Sequence, residues 1–374
     1  MYLVPDLLEE IFFRLPLKSI VKLRTLSKQW RSILESRRFE ERRRGRIMNA
    51  QTKTTIIAGG DHGNQIPPRS KGDEEVEIVY LQCDLASLPS MSCDGLVCIP
   101  EPGWVNVFNP STGESLRFSS SRDPPIPCCA TANRYSDHIL YDVFPGYWRM
   151  GFGRDNVSGS YKIVRMVFDS HWVILDVNIG TWQKLSPPPY EIGYKRKSTC
   201  VNGSIYWVEV SPDDHKLLAL DLHAQEWRDV GLPLGALGKS CQVANLDEHR
   251  LALAATYIEN DHWLFTRPVA VSKQGNLFLQ DSNKRLFKCY PETGEVRFIA
   301  EEICVISPFV ENLVRLGRLD IRKHGLQHLD HVPLSSRISN FFRRMKLKTP
   351  SILAITTVVV TLVMFSNRSR LSRS

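Results

Sequence analysis

His324, His328 and His331 stand at i, i+4 and i+7, which on a helix would put three imidazoles on one face, as a metal site needs. Gly325 inside that stretch weakens the helix, and no carboxylate pattern completes a known site. They read as solvated polar residues. Gly151-Phe152-Gly153 has the look of a phosphate loop, but a third glycine and a following helix are missing. It reads instead as a strand that needs small residues. Neither Gly-x-Ser-x-Gly nor His-Glu-x-x-His occurs. The nine cysteines include no Cys-x-x-Cys pair, so neither a zinc site nor a secreted disulfide framework is indicated. They read as reduced, buried small hydrophobes in a cytosol-facing protein. No catalytic group, metal or cofactor is expected from these motifs, although groups that converge only in space leave no such trace.

The formal net charge of +8 is unevenly placed. Arg37, Arg38, Arg42, Arg43, Arg44 and Arg46 form one basic cluster. Arg343, Arg344, Lys346, Lys348, Arg368, Arg370 and Arg373 form a second. Nucleic-acid binding is one reading of such clusters. Glu35, Glu40 and Glu41 dilute the first, and no nucleic-acid motif accompanies either. Nucleic acid is therefore not expected as a partner. The clusters read as a solvated helix end and a set of charges flanking an apolar tail.

The elements that must position any site fall into two classes. Leu7, Leu8, Ile11, Phe12 and Leu15 recur at helical spacing, with Glu9, Glu10 and Arg14 on the other side. Pro5 suits a first helical turn, and Asp6 suits the positive end of its dipole. Pro16 ends that helix. Leu17, Ile20, Val21, Leu23 and Leu26 mark a second helix, and Ser27 can cap a third carrying Trp30, Ile33 and Leu34. Forty residues with this much apolar surface bury little by themselves, which favours an interaction module.

Residues 46–75 are polar and Gly-rich and read as linker, with a short strand at Thr54–Ile57. From Val76 to Ile306, short β-rich runs alternate with turn residues, as in an all-β sandwich, barrel or propeller. Four copies of one meander are visible within it. They run from Asp94-Gly95 to Phe118, Gly159 to Leu185, Asn202-Gly203 to Val230, and Gln274-Gly275 to Phe298. Trp182 and Trp227 each follow an aspartate, Asp176 and Asp221, by six residues. A repeated meander whose faces only its neighbours can cover predicts a propeller-like array.

Read together, the two regions resemble the plant F-box family that carries an F-box-associated, kelch-related domain. The first resemblance lies in Leu3-Val4-Pro5-Asp6-Leu7-Leu8-Glu9-Glu10-Ile11, Arg14-Leu15-Pro16-Leu17-Lys18-Ser19 and Ser27-Lys28-Gln29-Trp30-Arg31-Ser32. The second lies in Ser92-Cys93-Asp94-Gly95-Leu96, Phe108-Asn109-Pro110-Ser111-Thr112, Gly151-Phe152-Gly153, Tyr161-Lys162-Ile163-Val164, Val201 to Trp207 and Leu220-Asp221-Leu222. The resemblance implies a three-helix F-box over 2–45 followed by an all-β propeller-like domain over 76–306. It also implies a non-catalytic substrate receptor of a ubiquitin ligase, bound through a Skp-type adaptor to a cullin, with a protein substrate on the β domain. Pro5, Leu7, Leu8, Ile11, Leu15, Pro16, Ile20, Val21, Leu23 and Trp30 would then form the adaptor face and its supporting core. Two other readings remain: a scaffold that uses the adaptor outside a ligase, and a β-propeller enzyme with a helical leader.

Residues 307–348 read as a basic, partly helical connector. Thr349 to Asn367 is a run of 19 residues without a charge. As a helix it reaches about 28 Å, close to a hydrocarbon core, and predicts a transmembrane tail anchor over 349–367. The alternative is a closing β-strand, since Ile355 to Thr361 are all β-branched.

Overall fold

The computed structural model describes residues 5–60, 72–81, 91–101, 104–119, 149–166, 171–192, 197–210, 215–231, 240–247, 250–256, 266–281, 283–316 and 360–365. Four helices come first: α1 (Pro5–Phe13), α2 (Leu17–Leu23), α3 (Lys28–Leu34) and α4 (Arg37–Ala50). The periodic residues of the first three close on one core. Leu8, Phe12, Ile20, Leu34 and Phe39 are buried there, with Leu15, Val21, Leu23 and Trp30 packed against them. α4 is a helix that apolar periodicity did not announce. The Ser36 hydroxyl caps it by accepting from the Phe39 amide at 3.2 Å. Phe39 then stacks on Phe13 at 4.7 Å, while the guanidiniums of Arg42 and Arg46 cover the Phe13 ring. The residues expected as linker thus begin inside α4.

Six sheets follow among the described residues. Blade I joins β1 (Thr54–Gly60) and β2 (Val76–Leu81) to β21 (Ile303–Pro308). Blade II is β3 (Met91–Cys93), β4 (Leu96–Glu101), β5 (Trp104–Phe108) and β6 (Ser115–Ser119). Blade III is β7 (Gly151–Arg154), β8 (Tyr161–Met166), β9 (Trp172–Asp176) and β10 (Trp182–Leu185). Blade IV is β11 (Thr199–Val201), β12 (Ser204–Val210), β13 (His215–Asp221) and β14 (Trp227–Val230). Blade V is β15 (Ser240–Asp247) and β16 (Arg250–Thr256), completed by β22 (Val360–Phe365). Blade VI is β17 (Thr266–Val271), β18 (Leu277–Asp281), β19 (Leu286–Cys289) and β20 (Val296–Ala300). One strand of each blade lies against the next in the order β3, β7, β11, β15, β17, β21, and β21 returns to β3. That closed ring is a propeller. Blade I closes it by pairing β21 antiparallel to β1, so early and late parts of the chain share one sheet.

The core lies between blades, as it must when each sheet can be covered only by its neighbours. Ile163 and Leu175 of blade III meet Leu96 and Val107 of blade II. Val164 and Ile174, on the opposite face of the same strands, meet Ile205 and Leu220 of blade IV. The four copies legible in the sequence are the outer three strands of blades II, III, IV and VI. The turn joining their last two strands repeats too. Amides of Gly113, Gly180, Gln225 and Gly294 donate to carbonyls of Asn109, Asp176, Asp221 and Tyr290. The aspartates add a side-chain cap, each accepting from amides two and three residues on. The tryptophan after this turn staples blades: Trp182 Nε1 donates to the Ser119 carbonyl and Trp227 Nε1 to that of Ser186, at 2.9 and 2.8 Å. Trp227→Phe keeps a smaller aromatic ring and removes the donor. It should lower stability by about 1 kcal/mol in urea titration.

Gly151 and Gly153 lie in β7, where it faces blade IV. A Cβ on Gly151 would fall 2.6 Å from the Trp207 ring, and one on Gly153 would fall 2.5 Å from Cys200 Sγ. The motif is therefore a close approach of blades. Gly153→Ala should destabilise by about 1–3 kcal/mol through overpacking, read from the shift in the denaturation midpoint.

Within the stretch expected as a helix at 349–367, the described residues are extended. Residues 360–365 form β22, antiparallel to β16, with Leu251 opposite Phe365 and Thr256 opposite Val360. Val360, Thr361 and Val363 of β22 are β-branched and suit that edge, whereas a spanning helix would need these residues in helical conformation. Among the described residues no helix is long and apolar enough to cross a membrane. The rest of 349–367, His324, His328, His331 and the second basic cluster lie outside the described residues.

Candidate functional site

The ten residues singled out on the helices do not share one environment. Leu8 and Ile20 are buried in the helical core, and Leu15, Val21, Leu23 and Trp30 are half-buried around it. Leu7 and Ile11 keep 51% and 42% of their surface exposed. Pro16 is also exposed, and the Pro5 side chain lies outside the described residues. Leu7 and Ile11 are one helical turn apart, so they share a face of α1. Leu8 and Phe12 on its other face are 5% and 2% exposed. The helical unit is thus closed on one side and offers an apolar ridge on the other. Leu26, 69% exposed in the turn before α3, was not among the residues singled out.

Behind this ridge the helices are fixed to the propeller. Residues 309–316 run between the two, with Leu313 in the helical core and Leu316 in the core of blades II and III. Arg24, itself buried, donates to the Leu313 carbonyl at 2.6 Å. Asn109 Nδ2 donates to the carbonyls of Asn312 and Val314 at 3.0 and 2.9 Å. Asn312 Nδ2 donates to the Asp94 carbonyl and lies 3.3 Å from the Tyr161 hydroxyl. Asp94 and Gly95 form the two-residue turn between β3 and β4, both at positive φ. A Cβ on Gly95 would collide with the Val310 carbonyl at 2.1 Å, so glycine is required there twice over.

The Asp94 carboxylate is the charge at the centre of this junction. Arg44 of α4 meets it at 2.7 Å and Arg154 of β7 at 3.4 Å, and the Tyr161 hydroxyl donates at 3.3 Å. Burial would raise the Asp94 carboxyl, but Arg44 and then Arg154 hold it below the usual carboxylate range. Burial first, and then the Asp94 charge, push the Tyr161 hydroxyl well up. Burial likewise raises Glu40 despite its cationic neighbours.

Five of the six arginines of the first basic cluster are accordingly paired within the molecule. Arg42 and Arg46 pair with Glu9 and Glu10 of α1, Arg43 with Glu311, Arg44 with Asp94, and Arg37 with Glu41. A buried ion cluster also ties blade I to blade VI, where Lys288 lies 3.4 Å from Asp73 and 2.7 Å from Glu75.

One constellation on the propeller has the residue types of a hydrolase. Asp155, 1% exposed, accepts from the Ser158 hydroxyl at 2.7 Å and lies 3.3 Å from His223 Nδ1. The carboxylate stands between serine and histidine, whereas activation of the serine needs the imidazole beside it. Lys162 Nζ fills the same carboxylate at 3.0 Å and donates to the Leu222 carbonyl. The group is a turn anchor between blades III and IV. Among the described residues no cluster of histidine, cysteine and carboxylate could hold a metal ion.

Sequence reasoning found the helices that carry the ridge, the repeats and the Asp94-Gly95 turn. It missed the junction, because the Asp94 partners lie 50 and 60 residues away and Asn312 more than 200 away.

Comparison with known proteins places both parts. Residues 2–42 match the F-box domain, and residues 69–266 match the F-box associated beta propeller domain. An F-box/LRR-repeat protein of Arabidopsis thaliana is 41% identical over 359 residues, covering 84% of this chain and 83% of that protein. An F-box protein of the same plant is 42% identical over 361 residues, with 84% and 85% covered. An F-box/kelch-repeat protein of that plant is 42% identical over 361 residues, with 84% of each covered. With two domain matches in the order of the fold and relatives alike over most of their length, the chain belongs to the F-box proteins that carry an F-box-associated β-propeller.

Proposed function

We propose that this protein is the non-catalytic substrate-recognition subunit of a Skp–cullin–F-box ubiquitin ligase, facing the cytosol or nucleus. The observation that carries the reading is the α1 ridge of Leu7 and Ile11, apolar and exposed on a helix whose other face is already closed. A monomer gains nothing from that ridge, and a Skp-type adaptor would cover it. The junction at Asp94 would then hold the propeller, with its protein substrate, at a set orientation to adaptor and cullin.

The test is reconstitution. The purified full chain is mixed with a plant Skp-type adaptor, a cullin with its RING subunit, and the ubiquitin enzymes. Co-elution of the chain with adaptor and cullin, and ubiquitin transfer that requires the chain, are the expected results. Failure to co-elute overturns the reading. Co-elution without transfer to any protein that binds the propeller favours a scaffold.

A further inference from the structure

The connection from β10 to β11 begins Ser186-Pro187-Pro188-Pro189-Tyr190. Leu185 before this run and Ile192 after it are buried in the core between blades III and IV. The Ser186 carbonyl accepts from Trp227 Nε1 at 2.8 Å, and Glu191 pairs with Arg149 at 2.6 Å. Both ends of the loop are therefore fixed, and its middle is displayed. Pro187 and Pro189 are exposed, and Pro188 and Tyr190 are half-buried. Each proline locks φ at about −65° and has no N–H to satisfy, so a partner that takes the run as polyproline helix orders little. Strands of a blade alternate in direction, so the connection after the fourth strand leaves the end opposite the first turn. The first turns of blades II and III are the ones that meet α4, through Asp94 with Arg44 and Asn156 with Arg37. The proline loop thus stands at the far end of the propeller from the helices.

We propose that Pro187, Pro188 and Tyr190 are the docking site of a WW-type domain, whose aromatic-lined groove takes proline pairs. A polyproline helix repeats every three residues, so Pro187 and Tyr190 fall on one face with Pro188 beside them, and Pro189 turns away. The proline pair fills the aromatic groove and Tyr190 fills a second pocket. No proline stands three residues after Pro187, Pro188 or Pro189, so the Pro-x-x-Pro register of an SH3 ligand is missing. In the free chain Tyr190 is latched. Its ring rests against the core of blades III and IV, with Lys216 Nζ 4.1 Å from the ring centroid. Its hydroxyl donates to Asp229 at 3.3 Å, a long bond at the surface. Docking exchanges these contacts for the partner's pocket, and the apparent affinity is lowered by the fraction of chains whose Tyr190 has turned out. The site uses neither the α1 ridge nor the ligase reading.

The full chain is titrated into a fluorescently labelled WW domain of the class that binds Pro-Pro-x-Tyr peptides, and into a labelled SH3 domain, and anisotropy is read. Saturable binding of the WW domain, and none of the SH3 domain, is the expected result. Pro187→Ala/Pro188→Ala and, separately, Tyr190→Ala should each weaken binding about thirtyfold or more, as loss of an interface anchor does. Pro189→Ala, on the face turned away, should change it by less than about twofold. Lys216→Ala/Asp229→Ala releases the latch and should tighten binding about threefold or more. Urea midpoints show which variants are folded, and the proline pair, at the surface, carries the test alone should Tyr190→Ala fold poorly. No saturable binding by the unsubstituted chain overturns the proposal, as does equal binding by the SH3 domain. So does binding that survives in the folded proline-pair variant, or that Pro189→Ala weakens as much. Unchanged or weaker binding in Lys216→Ala/Asp229→Ala overturns the latch.

Discussion

A Leu7→Ala/Ile11→Ala double variant should lose capture of a Skp-type adaptor by about two to four orders of magnitude. Each side chain, if fully covered in the complex, is worth about 1.5–3 kcal/mol. The sum of about 3–6 kcal/mol divides by 1.4 kcal/mol per tenfold change in affinity. Both residues are exposed in the free protein, so its stability should move by less than about 0.5 kcal/mol. Leu8→Ala provides the contrast. Leu8 is 5% exposed among Phe12, Ile20 and Leu34, and its truncation should cost about 2–5 kcal/mol of stability in the helical unit itself. Isothermal titration with purified adaptor, beside urea denaturation of each variant, separates the two. Unchanged affinity in the folded double variant would place the adaptor on another face.

The second large effect is expected at Asp94. Asp94→Ala leaves the guanidiniums of Arg44 and Arg154, with side chains only 12% exposed, facing each other without their shared carboxylate. Removing one partner of such a buried set should cost about 3–5 kcal/mol. The loss should appear as a lowered denaturation midpoint and as faster proteolysis in α4, which the Arg44–Asp94 pair ties to the propeller. Asp94→Asn keeps the shape without the charge and should lie between.

The pH dependence has a fixed sign. The folded-state pKa of Asp94 is depressed, so its contribution is present above the unfolded value of about 3.9 and lost as pH falls through the folded value. Stability from this group should therefore be flat from pH 6 to 8 and decline below about pH 4. Asp94→Ala should remove that part of the acid limb. A difference between wild type and Asp94→Ala that grows as pH falls from 6 to 3 would contradict the assignment.

What could be read from residue order was what neighbouring residues decide. Helical spacing marked α1, α2 and α3 because 3.6-residue periodicity is a local property. Asp94-Gly95 and Asn202-Gly203 marked hairpins because two successive residues with positive φ demand such residue types. Repeated meanders marked a propeller because every blade meets the same requirement, two faces covered by neighbours.

Only the tertiary structure could decide which apolar residues of α1 are core and which are surface. Leu7 and Leu8 are adjacent in sequence and alike in hydrophobicity; what separates them is which side of the helix α3, α4 and Leu313 cover. α4 was hidden because ion pairs to Glu9, Glu10 and Asp94 hold it, and a charged helix leaves no apolar period. Blades I and V were hidden because each borrows a strand from far along the chain, β21 for one and β22 for the other. The tail carried two readings because β-branched residues suit a strand edge and a lipid core alike. The open edge of β16 selected the strand for residues 360–365, and an edge exists only once the sheet has formed.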